Sequence, residues 1–257
     1  MRSENNPLYM IVLILVLTGT LLMLIRNPAY YSHSDGPRPF RAALVDEVSA
    51  TIADPYFLQN VTDTLRSVGY TVDYYGPRAV TVDLFKTLPS KGYGIVILRE
   101  HSTGLTGGVI ALVTSEVFDP SKYVSEQEAG LVLEATIGSN STAYFAITPT
   151  FIREATQGIF PNTIIVATGC AGLADSEMAQ AFISRGAKVY ISWDQVVFAN
   201  QSDGGAILLI RSMTSGYRVD QAVVTATENS PLSSEYPSQL RYYPLDKGGV
   251  VLSLRPP

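Results

Sequence analysis

Five short strand-forming runs, Ala42–Val45, Thr71–Tyr75, Gly94–Leu98, Thr163–Ala167 and Lys188–Ser192, constrain this chain more than any other feature. The third and fourth are apolar at nearly every position rather than at alternate ones, which a strand requires when both of its faces are covered. Between and after the runs lie stretches with helical spacing. Tyr56–Val68 is closed by Gly69, Val80–Leu88 by Pro89, and Ser176–Ser184 near Gly186, while Gly204–Thr214 and Val219–Thr227 follow. The alternation predicts an α/β fold with a mostly parallel sheet and helices on both faces. Val250–Leu254 reads as an edge strand. From about residue 102 to 141 the rhythm breaks into Gly, Thr and Ser around the apolar runs Val109–Val113 and Leu131–Ile137, a β-rich insertion within a domain covering 40–257.

Ahead of that domain, Leu8–Ile25 runs without a charge for roughly 18 residues, about the minimum that spans a bilayer core. No small-x-small cleavage site follows it, so residues 1–26 read as an uncleaved single-pass transmembrane anchor and 27–39, rich in Pro, Tyr and Ser, as a linker. Arg26, Arg38 and Arg41 on the downstream flank favour an internal domain. The sequons at Asn60, Asn140 and Asn200 favour the extracytoplasmic side, which is the placement expected here. The net charge of -5 comes with scattered basic residues, so nucleic acid is not an expected partner. One cysteine excludes an intrachain disulfide, and with two histidines it leaves no ligand set for structural zinc. No metal or cofactor is implied.

Two aliphatic strands end in reactive side chains. IVILREHSTG puts His101 just past the third strand, and TIIVATGCAG puts Cys170 just past the fourth. In an open parallel sheet all carboxyl ends share one edge, where ligands bind. A thiol with an imidazole neighbour becomes a competent nucleophile. Glu100 is either a solvated neighbour of His101 or the group that orients it. Asp175 or Ser176 reads as the N-cap of the helix that follows. Gly104, Gly107 and Gly108 lack the Lys and the strand-to-helix context of a phosphate loop, and no G-x-S-x-G elbow is present.

A strand ending in His followed by a later strand ending in Gly-Cys resembles the caspase-like cysteine peptidase superfamily of caspases, legumains, gingipains, separases and CHAT domains. The stretch AQAFISRGAKVYISWDQVVFANQSDGGAILLIRSM is similar to the helix, turn, strand and Trp-Asp pattern of CHAT domains and separases. The resemblance implies a cysteine endopeptidase acting on a peptide or protein substrate, which the anchor over Leu8–Ile25 would tether to a membrane. Cys170 would attack the scissile carbonyl, His101 would serve as acid and base, and the backbone amides of Cys170 and Ser102 would bind the oxyanion. It also implies that the Trp193-Asp194 position borders the substrate, with Asp194 or Asp203 selecting Arg or Lys at P1. Trp193 itself reads as packing, and Asp203 equally as the N-cap of the next helix. The chain departs from the family in two ways: Ser102 stands where a Gly usually follows the His, and His101 and Cys170 lie roughly 70 residues apart against about 50 in caspases. The alternative is a caspase-like or flavodoxin-like domain that binds a ligand or partner without catalysis.

Overall fold

A computed structural model describes residues 40–104, 108–138, 142–230 and 237–254. The anchor expected over Leu8–Ile25 lies outside them, and no helix among the described residues is long and apolar enough to cross a membrane.

The centre is a six-stranded sheet of β1 (Arg41–Asp46), β2 (Thr71–Tyr75), β3 (Ile95–Arg99), β8 (Ile164–Ala167), β9 (Val189–Trp193) and β10 (Leu240–Tyr243), in the order β10-β9-β8-β3-β1-β2. All neighbours pair in parallel except β10, which runs antiparallel to β9. The five expected strands are present within a residue or two. The expected edge strand Val250–Leu254 is not: Val251 makes only an isolated bridge to Arg218, and β10 occupies that edge instead.

Helices cover both faces. On one, Leu44, Ile97, Val166 and Ile191 meet α1 (Pro55–Ser67), α6 (Ala199–Thr214) and α7 (Val219–Asn229); on the other, Val45, Leu98, Ala167 and Tyr190 meet α2 (Val82–Thr87), α4 (Pro149–Glu154) and α5 (Glu177–Ser184). Adjacent positions of one strand therefore feed opposite cores, which explains why apolar residues occupy every position. Local chemistry sets the helix starts. Asp54 accepts from Phe57 N–H at 2.9 Å with Pro55 at the first helical position, and Thr148 accepts from Phe151 N–H at 3.2 Å with Pro149 likewise. Gly69, at φ 89°, terminates the α1 turn in the left-handed region.

The β-rich insertion is a second sheet, antiparallel, of β4 (Ser102–Gly104), β5 (Ile110–Val117), β6 (Val132–Thr136) and β7 (Ala143–Ile147) in the order β4-β5-β7-β6, with the short helix α3 (Val124–Glu128) between β5 and β6. It runs to Ile147, beyond the expected limit. Its first strand begins one residue after His101, so the histidine marks the point where the chain leaves the parallel sheet for the antiparallel one.

Candidate active site

The register of the central strands decides what meets at the carboxyl edge. Leu98 lies opposite Ala167 in the β3–β8 pair, and Thr168 N–H closes the ladder on Leu98 O at 2.8 Å. The same offset carries His101 and Cys170 to matching places just past the two strand ends. Their segments touch: Ser102 Oγ donates to Cys170 O, and a Cβ on Gly169 would come 2.7 Å from Glu100 O. Only glycine permits that approach.

His101 is held from below by a residue that the sequence pattern did not single out. Glu47, directly after β1, is buried, and its Oε2 lies 2.8 Å from both His101 N–H and His101 Nδ1. A carboxylate at Nδ1 draws the ring proton to that nitrogen and leaves Nε2 as the free acceptor. The ring is 25% exposed. An acidic residue just beyond the first strand was the available signal, because the parallel topology puts that strand end on the same edge as His101.

Cys170 is half-buried, and its Sγ donates to Val197 O at 3.3 Å. Ala171, next in sequence, adopts φ 54°, a left-handed conformation that is uncommon for a residue with a side chain. The strained turn is strapped to the end of β9 and the segment just after it, with Leu173 N–H on Trp193 O at 2.9 Å and Ala171 N–H on Gln195 O at 2.8 Å. The helix beyond it begins only at Glu177, and Asp175 Oδ1 accepts from Glu177 N–H at 2.6 Å. Ser102 pairs with Leu112, while the preceding His101 O accepts from Val113 N–H at 2.8 Å. Alternation along an antiparallel ladder then turns Ser102 N–H away from β5.

The three residues expected to border a substrate are engaged elsewhere. Trp193 is fully buried, its Nε1–H donating to Ser202 Oγ at 3.0 Å, and Ser202 Oγ donating in turn to Thr168 O at 2.6 Å. It supports the edge from beneath and presents no face to a ligand. Asp203 lies inside α6, whose N-cap is Phe198, so it is not a cap. Both of its oxygens accept from Arg99, at 2.8 Å from Nε and 2.8 Å from Nη2. Arg99 also donates to Asp46 Oδ1 at 2.7 Å, Ser49 Oγ at 3.1 Å and Ile52 O at 3.1 Å, which uses all five guanidinium donors. Burial alone would lower its pKa, but the hydrogen bonds and charges of Asp203 and Asp46 outweigh that and push it above the usual range. Asp194 ties the end of β9 to β10: Oδ1 accepts from Gln239 N–H at 2.8 Å and Oδ2 from Arg241 Nε at 3.1 Å. It remains 21% exposed, and Arg241 faces solvent.

Glu100 is no solvated neighbour. It is buried on the face opposite Arg99, and neither carboxyl oxygen has a hydrogen-bond partner. Burial, and then the charge of Glu47, push it well above the usual carboxylate range. Among the described residues no group of three or more His, Cys, Asp or Glu is placed to hold a metal. The arrangement offers a thiol, an oriented imidazole and, at Ser102, a backbone amide turned away from β5 on one sheet edge.

No family model matches the chain. No curated protein matches it either. Among solved structures it is similar to the Arg-specific cysteine proteinase gingipain R, with a TM-score of 0.41 and 12% identity over 88% of this chain. The match covers 47% of the gingipain chain, so the present chain spans about half of that length.

Proposed function

We propose that this domain is a cysteine peptidase of the caspase-like type, with Cys170 as nucleophile and His101 as its acid and base. The observation that carries the reading is the register of β3 against β8, which brings the imidazole-bearing and thiol-bearing turns level and into contact through Ser102 and Cys170 O. In this reading Glu47 keeps the His101 ring turned, with Nε2 toward the reacting atoms, and Cys170 gives up its bond to Val197 O to attack the carbonyl. His101 Nε2 takes the thiol proton as Sγ attacks and passes it to the leaving amine as the C–N bond breaks, giving the acyl-enzyme; it then takes a proton from the water that attacks the thioester and returns it to the Cys170 sulfur. The amides of Ser102 and Cys170 stabilise the oxyanion. Of the two aspartates, Asp194 is the one proposed to select Arg or Lys at P1, since its partner Arg241 is solvent-facing and can be displaced. Asp203 would have to abandon a buried arginine. Residues 8–25 would tether the domain to a membrane, on the extracytoplasmic side; resistance to extraction in alkaline carbonate tests the tether.

The bond from Cys170 Sγ to Val197 O favours a second reading, a domain that binds a ligand or partner at this edge without turnover. A thiol-reactive peptide probe with Arg at P1 separates the two. Peptidase chemistry requires labelling of the wild type, none of Cys170→Ala, and labelling of His101→Ala slowed by about 10²-fold or more. A wild type that resists the probe while binding peptides overturns the peptidase reading.

A further inference from the structure

Two glutamates stand side by side behind His101. Glu47 follows β1 and Glu100 follows β3, and those strands pair in parallel with Asp46 opposite Arg99. Asp46 and Arg99 meet on one face of the sheet at 2.7 Å. One residue on, the same register sets Glu47 beside Glu100 on the other face, and Glu47 N–H continues the ladder to Arg99 O at 2.8 Å. Both carboxyls are buried.

Of two adjacent carboxyls withdrawn from water, one is disfavoured as an anion by the charge of the other. The hydrogen bonds say which keeps the proton. Glu47 is the acceptor from His101 N–H and His101 Nδ1, whereas Glu100 accepts nothing. The Tyr190 hydroxyl on β9 lies within electrostatic reach of Glu100, and Ser192 and, ahead of α5, Asp175 lie in turn by Tyr190; each of the three has a buried, unpartnered oxygen. None of them is a cation, so a charge on Glu100 would have nothing to balance it.

We propose that Glu47 and Glu100 form a one-proton carboxyl pair behind His101, in which Glu47 positions the ring and Glu100, held as the neutral acid, preserves that position. The rise in the pKa of Glu100 caused by burial and by Glu47 agrees in direction. When Glu100 ionises, a second buried negative charge appears beside Glu47, and mutual repulsion moves the Glu47 carboxylate away from His101 Nδ1, releasing the ring. The site therefore has an alkaline limit set by a positioning residue that touches no substrate. The proposal rests on the peptidase reading only for what His101 does chemically; the pair itself does not depend on it.

The test uses the full chain and needs no turnover. Infrared spectra of protein with isotope-labelled glutamate should show an acid carboxyl band at neutral pH that is lost in Glu100→Gln and kept in Glu47→Gln. Nitrogen-15 spectra of the imidazole rings, with the only other histidine removed by His33→Ala, should show the Nδ1–H tautomer of His101 in the wild type and in Glu100→Gln at neutral pH. That tautomer should be lost on raising the pH in the wild type but not in Glu100→Gln, and should be lost at neutral pH in Glu47→Gln. Should Glu100→Gln not fold, the glutamate carboxyl carbon-13 signals of the wild type decide, since an acid-form signal must be present at neutral pH. Absence of the acid form, or loss of the tautomer in Glu100→Gln at neutral pH, overturns the pair. Failure of the peptidase reading would appear separately, as an unreactive Cys170 with these signals intact.

Discussion

Replacing Asp203 with Ala removes the acceptor of Arg99 Nε and one of the two acceptors of Nη2 while leaving a guanidinium that is 1% exposed. Breaking a buried ion pair from one side costs about 3–5 kcal/mol, because the other charge stays buried without its partner. Asp46, Ser49 and Ile52 O remain on Arg99, which places the expected loss toward the lower end of that range. For a domain of this size 1 kcal/mol corresponds to about 2–4 °C, so the melting temperature should fall by roughly 6–12 °C for a loss near 3 kcal/mol. Thermal and urea unfolding followed by far-ultraviolet circular dichroism measure it. Arg99→Met combined with Asp203→Leu and Asp46→Asn, which removes all three charges of the buried cluster, should recover part of the loss relative to the sum of the single changes. A fall of under about 2 °C in Asp203→Ala would refute the structural assignment. So would an Asp203→Asn protein of unchanged stability whose preference for Arg over neutral P1 probes had shifted, since that would make Asp203 a substrate residue.

Further expectations follow from close contacts and from titration. A Cβ on Gly205 would stand 2.7 Å from Trp193 Cζ2, so Gly205→Ala should destabilise the domain by about 1–3 kcal/mol despite the better helix propensity of alanine; equal or greater stability in urea would count against the packing described for Trp193. Glu100 has a pKa raised in the folded state, so the stability linked to it is complete below about pH 4.3, the unfolded value, and is lost as the pH rises through the folded value. Glu100→Gln should therefore gain on the wild type steadily above about pH 4.3, and a stability difference that stays flat between about pH 4 and 8 would contradict the buried, unpaired assignment. Losing the Glu47 anchor should slow probe labelling of Cys170 in Glu47→Gln while the melting temperature changes less than in Asp203→Ala; equal labelling would remove Glu47 from the site.

The amino-acid sequence by itself determined the layered architecture, because a strand covered on both faces must be apolar at successive positions, and that pattern is local. Gly94–Leu98 and Thr163–Ala167 were legible for this reason, and with them the placement of His101 and Cys170 past strand ends. What fell outside local pattern was not legible. β10 spans only Leu240–Tyr243, with Arg241 and two tyrosines, and is a strand because Trp193 to Tyr190 supply its ladder; the more apolar Val250–Leu254 has no such partner strand. The short α4 had its Pro149 start signal but too few turns to show a period. The partners of the site are also non-local: Asp203 is 104 residues from Arg99, and Glu47 is 54 from His101. Whether an aspartate beside a candidate site reads a substrate or neutralises an arginine depends on which charge the tertiary fold buries next to it. No spacing along the chain encodes that, since the electrostatic cost of burial exists only once strands and helices have closed around the group.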